Sequence, residues 1–333
     1  MKSFKIVLIV ILSIIVLGLC VLLGMGISGK ISFPGIGYGM SDDGAVYGNF
    51  ELVMRKEVAL EEVAAIDIDY GKNNTDVTVY EGTDDVIIVE EYANFEMSDS
   101  DKTTMEMVGN TLKVKGKKRV NWGIGIQTKS AYAKVYLPAE YAGNLKICTA
   151  SGDVVLSEDL ALEENLEVVV ASGDVSAEKI TADKIQITSA SGELKLGEMN
   201  AGQSTITTAS GDVWAEAVNG ALKCTTASGE VTVKGGNAQG NIRTASGDVW
   251  MSLGELTGNL GIGTASGEVT LYLPENSSFA FEADTASGDI NTFFDEELSF
   301  SKRGDHAKGE LNGNTAGITV EIGTASGDIT VLR

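Results

Sequence analysis

The chain has 333 residues, with 47 Asp or Glu against 25 Lys or Arg, for a formal net charge of −22. That balance disfavours nucleic acid and bare anionic lipid as partners. One histidine, three cysteines and no Gly-x-Ser-x-Gly or phosphate-loop motif exclude the familiar zinc and serine-hydrolase templates, so the chain reads as non-enzymatic with no cofactor.

Residues 1–5 form a short tail carrying Lys2 and Lys5, and residues 6–27 are an uncharged run of 22, long enough to span a bilayer. The positive-inside rule leaves the tail cytoplasmic and everything after the run outside. Leu17-Gly18-Leu19-Cys20 resembles a lipoprotein box, but Leu19 is too large for the residue before a lipidated Cys, and the apolar run continues past it. The segment therefore reads as an uncleaved signal anchor of a single-pass membrane protein. Residues 28–48 form a Gly-rich stalk.

Residues 49–138 alternate in the manner of strands at 63–69, 77–80, 86–90, 111–114 and 133–137. They are expected to form irregular first coils that cap the regular repeats of residues 139–333. Val135-Tyr136-Leu137-Pro138 ends 14 residues before Gly152, and Leu271-Tyr272-Leu273-Pro274 ends 14 before Gly288, which argues for one continuous architecture.

Residues 139–333 are dominated by a tetrapeptide, Ala-Ser-Gly-Asp/Glu, that occurs nine times. Its glycines are Gly152, Gly173, Gly192, Gly211, Gly229, Gly247, Gly267, Gly288 and Gly327, at spacings of 18 to 21 and a final 39. Lys308-Gly309-Glu310-Leu311 sits where a degenerate tenth copy would fall in that long interval. Before each glycine, apolar residues alternate with polar ones (Leu145, Ile147; Ile185, Ile187; Leu222, Cys224; Leu260, Ile262), and the second residue after it is always Val, Leu or Ile. Inward parity thus shifts across the tetrapeptide, which must bend one strand into the next; glycine tolerates the positive φ such a bend asks for. The period predicts an all-β solenoid of about ten 18–21-residue coils, roughly 45–50 Å long. An antiparallel sandwich of hairpins is the alternative. Thr149, Thr208, Thr226, Thr244, Thr264, Thr285 and Thr324, each three before a glycine, predict an internal threonine ladder.

The reiterated Thr-Ala-Ser-Gly-Asp-Val/Ile, the Leu-Pro elements and the closing Thr-Ala-Ser-Gly-Asp-Ile-Thr-Val resemble the bacterial putative-adhesin family of β-strand-repeat proteins, over roughly residues 60 to 333. That family is largely a domain of unknown function. The resemblance implies a right-handed, parallel β-helix-like solenoid on the outer side of the membrane, in some members linked to envelope stress, and it implies no catalytic residues.

Four features are candidate sites. The acids after the glycines (Asp153, Asp174, Glu193, Asp212, Glu230, Asp248, Glu268, Asp289, Asp328) predict a column of carboxylates that caps turns or is bridged by Ca2+, although the Ca2+ nonapeptide pattern is absent. Trp214 and Trp250 share an outward column with Lys195, Thr232 and Thr270, a surface for sugar rings or a partner unless the 293–312 insertion covers it. Arg303-Gly304-Asp305, followed by His306, reads as a loop. The terminal 329–333 predicts an open edge strand suited to homo-association. Cys148 is expected outward and Cys224 inward, four coils apart, too far to bridge. The chain reads as an adhesin-like surface binding module whose expected partners are the membrane, cell-wall glycan or an envelope protein, and a second copy; a structural or envelope-stress-related protein acting by self-association or through a membrane partner is the alternative, and a carboxylate-based polysaccharide enzyme the minor one.

Overall fold

The computed structural model describes residues 50–71, 73–117 and 130–333. The anchor at 6–27 and the stalk at 28–48 lie outside the described residues. Among the described residues no helix is long and apolar enough to cross a membrane, and the helical elements are three short 3-10 turns.

The alternation does produce strands, and the strands stack in parallel. In the central coils one continuous strand supplies successive edges of a layer: Val175–Ser191, Leu194–Ser210 and Val213–Ser228 run side by side almost throughout. Each layer has one segment before the Ser-Gly turn and one after it. Before the turn, Leu166 faces Ile185, Ile187 faces Ile206, and Ile206 faces Cys224. After the turn, Val175, Leu194, Val213 and Val231 align. All of these side chains are buried between the two faces. Each contributes about 1.5–3 kcal/mol by leaving water. The solenoid is therefore the fold, and the hairpin sandwich is not.

The predicted threonine ladder is internal and buried from Thr149 to Thr324. Four of its hydroxyls donate to a backbone carbonyl of the neighbouring layer: Thr149 to Thr75, Thr264 to Gly247, Thr285 to Gly327 and Thr324 to Gly267, at 3.0–3.3 Å. The turn glycines are required for a second reason that the sequence did not disclose. A Cβ on Gly247 would collide with the carbonyl of Gly229, and one on Gly229 with the carbonyl of Gly211. Cys224 faces inward as expected, and burial pushes its thiol up to about 12. Cys148, expected outward, is also buried.

The ends depart from the order expected from the sequence. The coil of Gly327 does not finish the stack: Thr319–Ser326 lies between Glu255–Ser266 and Phe279–Thr285, and Ile329–Leu332 lies between Val269–Tyr272 and Ile290–Thr292. The chain builds its outermost coil first, passes the end as a hairpin, and returns to fill the slot beneath. The 39-residue interval is that detour. His306–Leu311, which contains the expected degenerate copy, is instead an antiparallel strand on Phe279–Thr285, with Leu298–Phe300 beyond it. Phe279, Phe281 and Phe294 close this end edge to face at 5.3–6.5 Å. The terminal strand is consequently interior, and the open edge predicted at 329–333 does not exist.

The N-terminal end mirrors this. Ala65–Tyr70 lies between Thr111–Lys115 and Asn144–Thr149, and Thr75–Gly82 lies between Ala131–Pro138 and Val154–Ala161. Antiparallel Thr104–Val108 and the pair Val86–Ala93 and Glu51–Ala59 finish the two faces.

Candidate functional site

The aromatic column forms as predicted, and its register is direct. Lys195 pairs with Trp214, Trp214 with Thr232, Thr232 with Trp250, and Trp250 with Thr270. Parallel spacing puts the two tryptophans about 10 Å apart. Trp214 is 37% exposed and Thr232 between them is buried, so the indoles flank the small side chain.

The structure adds three residues that sequence reasoning missed. Trp214 Nε1 donates to Glu216 at 2.9 Å, and the Lys234 ammonium lies 3.9 Å from the Trp214 ring centroid. Lys234 also pairs with Glu216 at 3.5 Å. The Tyr272 ring meets Trp250 at 5.3 Å, tilted by 46°. Glu216, Lys234 and Tyr272 each stand two residues beyond a member of the column, so period-two counting carried one step further finds them. Lys195 pairs with Glu193 at 3.0 Å. The 293–312 insertion does not cover the tryptophans; it packs on Phe279–Thr285 at the C-terminal end. The result is an outward surface of two indoles and a phenol, with the Lys234 ammonium over the Trp214 ring and the Glu216 carboxylate bonded to both.

The acid column has a specific geometry. The amide of Asp174 donates to the Asp153 carboxylate at 2.9 Å, Glu193 to Asp174 at 2.7 Å, Glu230 to Asp212 at 2.9 Å, Glu268 to Asp248 at 2.8 Å and Asp289 to Asp328 at 2.9 Å. Asp153, Asp174, Asp212, Asp248 and Asp328 therefore each cap the turn of a neighbouring layer, not their own. Asp76 begins the series by accepting from Asp153 at 3.0 Å. The glutamates do not continue it: Glu230 accepts from Thr232 at 3.0 Å and Glu193 from Lys195. Among the described residues these acids do not gather into a group close enough to share an ion.

Among the described residues, the group that does is Glu282, Asp284 and His306, with donor atoms within 4.8 Å. His306 Nδ1 lies 2.9 Å from Asp284, and Lys308 pairs with Glu282 at 2.9 Å. Lys308 holds Glu282 below the usual carboxylate range. This half-exposed charge network ties the hairpin to Phe279–Thr285. Arg303-Gly304-Asp305 is the turn of that hairpin, with the Asp305 carboxylate held by Ser301.

A family model described as Toastrack DUF4097 matches residues 63–332. The chain belongs to the Toastrack family. This agrees with the resemblance carried by the Thr-Ala-Ser-Gly-Asp repeats. Among solved structures, the Toastrack chain is similar to a protein named as a putative lipid binding protein from Parabacteroides distasonis, at 15% identity over 86% of this chain and 98% of that one, with a TM-score of 0.49. It is also similar to a putative adhesin from Bacteroides fragilis, at 13% identity over 85% and 97%, with a TM-score of 0.41. A putative adhesin from Parabacteroides distasonis aligns at 14% identity over 86% and 98%, with a TM-score of 0.40. No curated protein matches the chain.

Proposed function

We propose that this Toastrack protein is a non-catalytic binding module of the bacterial cell surface, anchored by residues 6–27, whose ligand is an envelope glycan. The right-handed coil and the extracytoplasmic orientation implied by the family resemblance belong to the same proposal. The observation that carries it is the Trp214–Trp250–Tyr272 surface. Aromatic planes offer the C–H-rich faces of sugar rings a large apolar area at low entropic cost, and Lys234 over the Trp214 ring, with Glu216 bonded to both, adds polar groups to that surface. The non-catalytic reading is supported by the acid column. Glycosidic chemistry needs two carboxylates with pKa values pushed apart, whereas the turn aspartates share one environment repeated layer by layer.

The test is co-sedimentation of the protein with isolated cell-wall sacculi. Saturable pelleting that is lost in Trp214→Ala/Trp250→Ala supports the reading. Equal pelleting of the variant, or none by the wild type, removes it.

A second reading, self-association, rests on a different observation. Outside the tryptophan surface, the exposed large apolar side chains among the described residues are Leu52, Val108 and Phe300. All three lie on the antiparallel edge strands Glu51–Ala59, Thr104–Val108 and Leu298–Phe300. Edges of this kind pair unless blocked. Sedimentation velocity across concentration, with Leu52→Lys/Val108→Lys as the blocked form, distinguishes a monomer from an edge-paired assembly.

A further inference from the structure

We propose a second aromatic subsite, made by Tyr80 and Tyr136 beside a cavity, that acts with the tryptophan surface to hold one extended, uncharged polysaccharide strand. This rests on the glycan reading above and adds the length and charge of the ligand.

The two surfaces share a face and a row. From Lys134 the register runs to Thr78, Val155, Ser176, Lys195 and then Trp214. Four strand spacings separate the strand of Tyr80 from that of Trp214 and five separate the strand of Tyr136 from it, about 19–24 Å. The row beside it carries Tyr136 paired with Tyr80 at one end and Tyr272 paired with Ser252 at the other. Tyr136 and Tyr272 are the tyrosines of the two Tyr-Leu-Pro echoes in the sequence, and the register between their rows is interrupted by a shift at Ala177/Lys179.

Both surfaces are also built alike. Near Trp214, an aromatic polar hydrogen meets a glutamate two residues away, and a lysine from the adjacent strand lies over the ring. Near Lys134, Tyr92 donates to Glu90 at 2.7 Å, and the ammonium lies 5.3–5.9 Å from the rings of Tyr92, Tyr80 and Tyr132. Tyr80 and Tyr136 stack at 5.4 Å and 22°, and Tyr92 and Tyr132 at 4.8 Å and 11°. Glu90 is buried and fully engaged, accepting from Arg55 at 2.5 Å as well as from Tyr92. It is therefore not free to take a ligand, and the phenols present the surface.

Beside Tyr80 opens a cavity of about 250 Å³, walled by Leu137, Pro138, Tyr141, Leu156 and Leu160. Its charged lining residues are Glu81, Glu158 and Asp159, with no Lys or Arg. These acids disfavour phosphate- or carboxylate-bearing groups inside the cavity, while the Lys134 ammonium lies outside it, over the Tyr80 ring. The volume is below the roughly 300–1,000 Å³ of sites that enclose a drug-sized molecule, so it suits one substituent of a chain that continues outside. Two aromatic surfaces this far apart exceed the reach of a disaccharide. A stiff strand that meets both gains from the effective concentration of the second contact.

The experiment uses the full chain in detergent with three probes: chitobiose, soluble glycol chitin and alginate. Glycol chitin is expected to bind about tenfold or more tighter than chitobiose, and alginate not to bind. Tyr80→Ala/Tyr136→Ala should lower glycol chitin affinity about tenfold and leave chitobiose within about twofold. Tyr80→Phe/Tyr136→Phe, which keeps the stacked rings, should restore it and exclude misfolding as the cause. Unchanged polymer binding by the alanine variant overturns the second subsite. Preference for alginate, or failure of glycol chitin while sacculi still pellet, overturns the uncharged class. If Trp214→Ala/Trp250→Ala alters no binding at all, the glycan reading fails and this proposal fails with it.

Discussion

Between Gly192 and Gly267 every layer repeats the one beneath it, whereas at both ends the chain changes order and direction. In the middle, the glycine recurs because a Cβ would meet a carbonyl of the layer below, while the buried threonines stack in one internal column and the aspartates accept an amide from the neighbouring layer. At the ends no next layer exists. There the coil nearest each chain terminus is tucked inside, and antiparallel strands and three phenylalanines finish the core. The middle is thus specified by identity between neighbours and the ends by shape, and the two should respond differently to damage.

The largest effect is expected in the middle. Gly247→Val places a branched side chain at a φ of +146° against the backbone of Gly229 and Glu230, which cannot give way as a flexible side chain would. A loss of about 4 kcal/mol or more is expected in guanidinium unfolding. Gly263→Ala is the control, because a Cβ there meets nothing within 4 Å. It should change stability by no more than about 0.5 kcal/mol. Equal effects at the two positions would mean that close layer contact is not what the turn glycines serve.

Next comes the inserted C-terminal coil. Deleting residues 319–333 empties a slot between two layers: Glu255–Ser266, Val269–Tyr272 and Phe279–Thr285 each lose one of two partners, and Ile290–Thr292 loses the strand it pairs with. Removing the edge strand Glu51–Ala59 strips one partner only. The first deletion should lower the melting temperature by about 10 °C or more and the second by a few degrees. Hydrogen exchange should locate the first loss at 255–292. Protection there that survives the deletion would show that the outer coil can drop into the slot.

Much of the middle was legible in the sequence because a stacked repeat writes its contacts at a fixed period. The inward Ile and Val, the threonine ladder and the Trp214–Thr232–Trp250 column all come from counting residues from each glycine. The ends were not legible for the same reason. Nothing in the composition of Ile329–Leu332 differs between a last layer and a next-to-last one, since the same residues pair on either side. Only the 39-residue detour hinted at it, and in sequence a faded copy explains that interval equally well. Tyr92, Tyr132 and Lys134 escaped because they meet across antiparallel strands, where the repeat period no longer applies.

A smaller effect separates aspartate from glutamate within the middle. Asp174→Glu should lose the bond from the Glu193 amide and cost about 0.5–1 kcal/mol, whereas Glu230→Asp should gain a bond from the Asp248 amide and stabilise by a similar or smaller amount. Paired urea titrations read both. If the two substitutions change stability in the same direction, the turn acids are interchangeable solvated groups and the layer-to-layer cap has no energetic weight.

The smallest and most specific difference lies at Asp76, where the column meets the N-terminal cap. Burial pushes its carboxyl above the ordinary range, the bond from the Asp153 amide opposes this, and the Asp153 charge adds to the rise. A carboxyl whose folded pKa is raised binds its proton more tightly in the native chain than in the unfolded one. Its ionisation therefore weighs against the fold above the raised pKa, and that penalty is relieved as pH falls through it. Asp76→Asn keeps an acceptor for the Asp153 amide and cannot ionise. Relative to this variant, the wild type should gain stability as pH is lowered from neutral into the acid range, and the difference should be flat near neutrality. A wild type that instead loses ground to the variant on acidification would mean that the amide bond outweighs burial at Asp76.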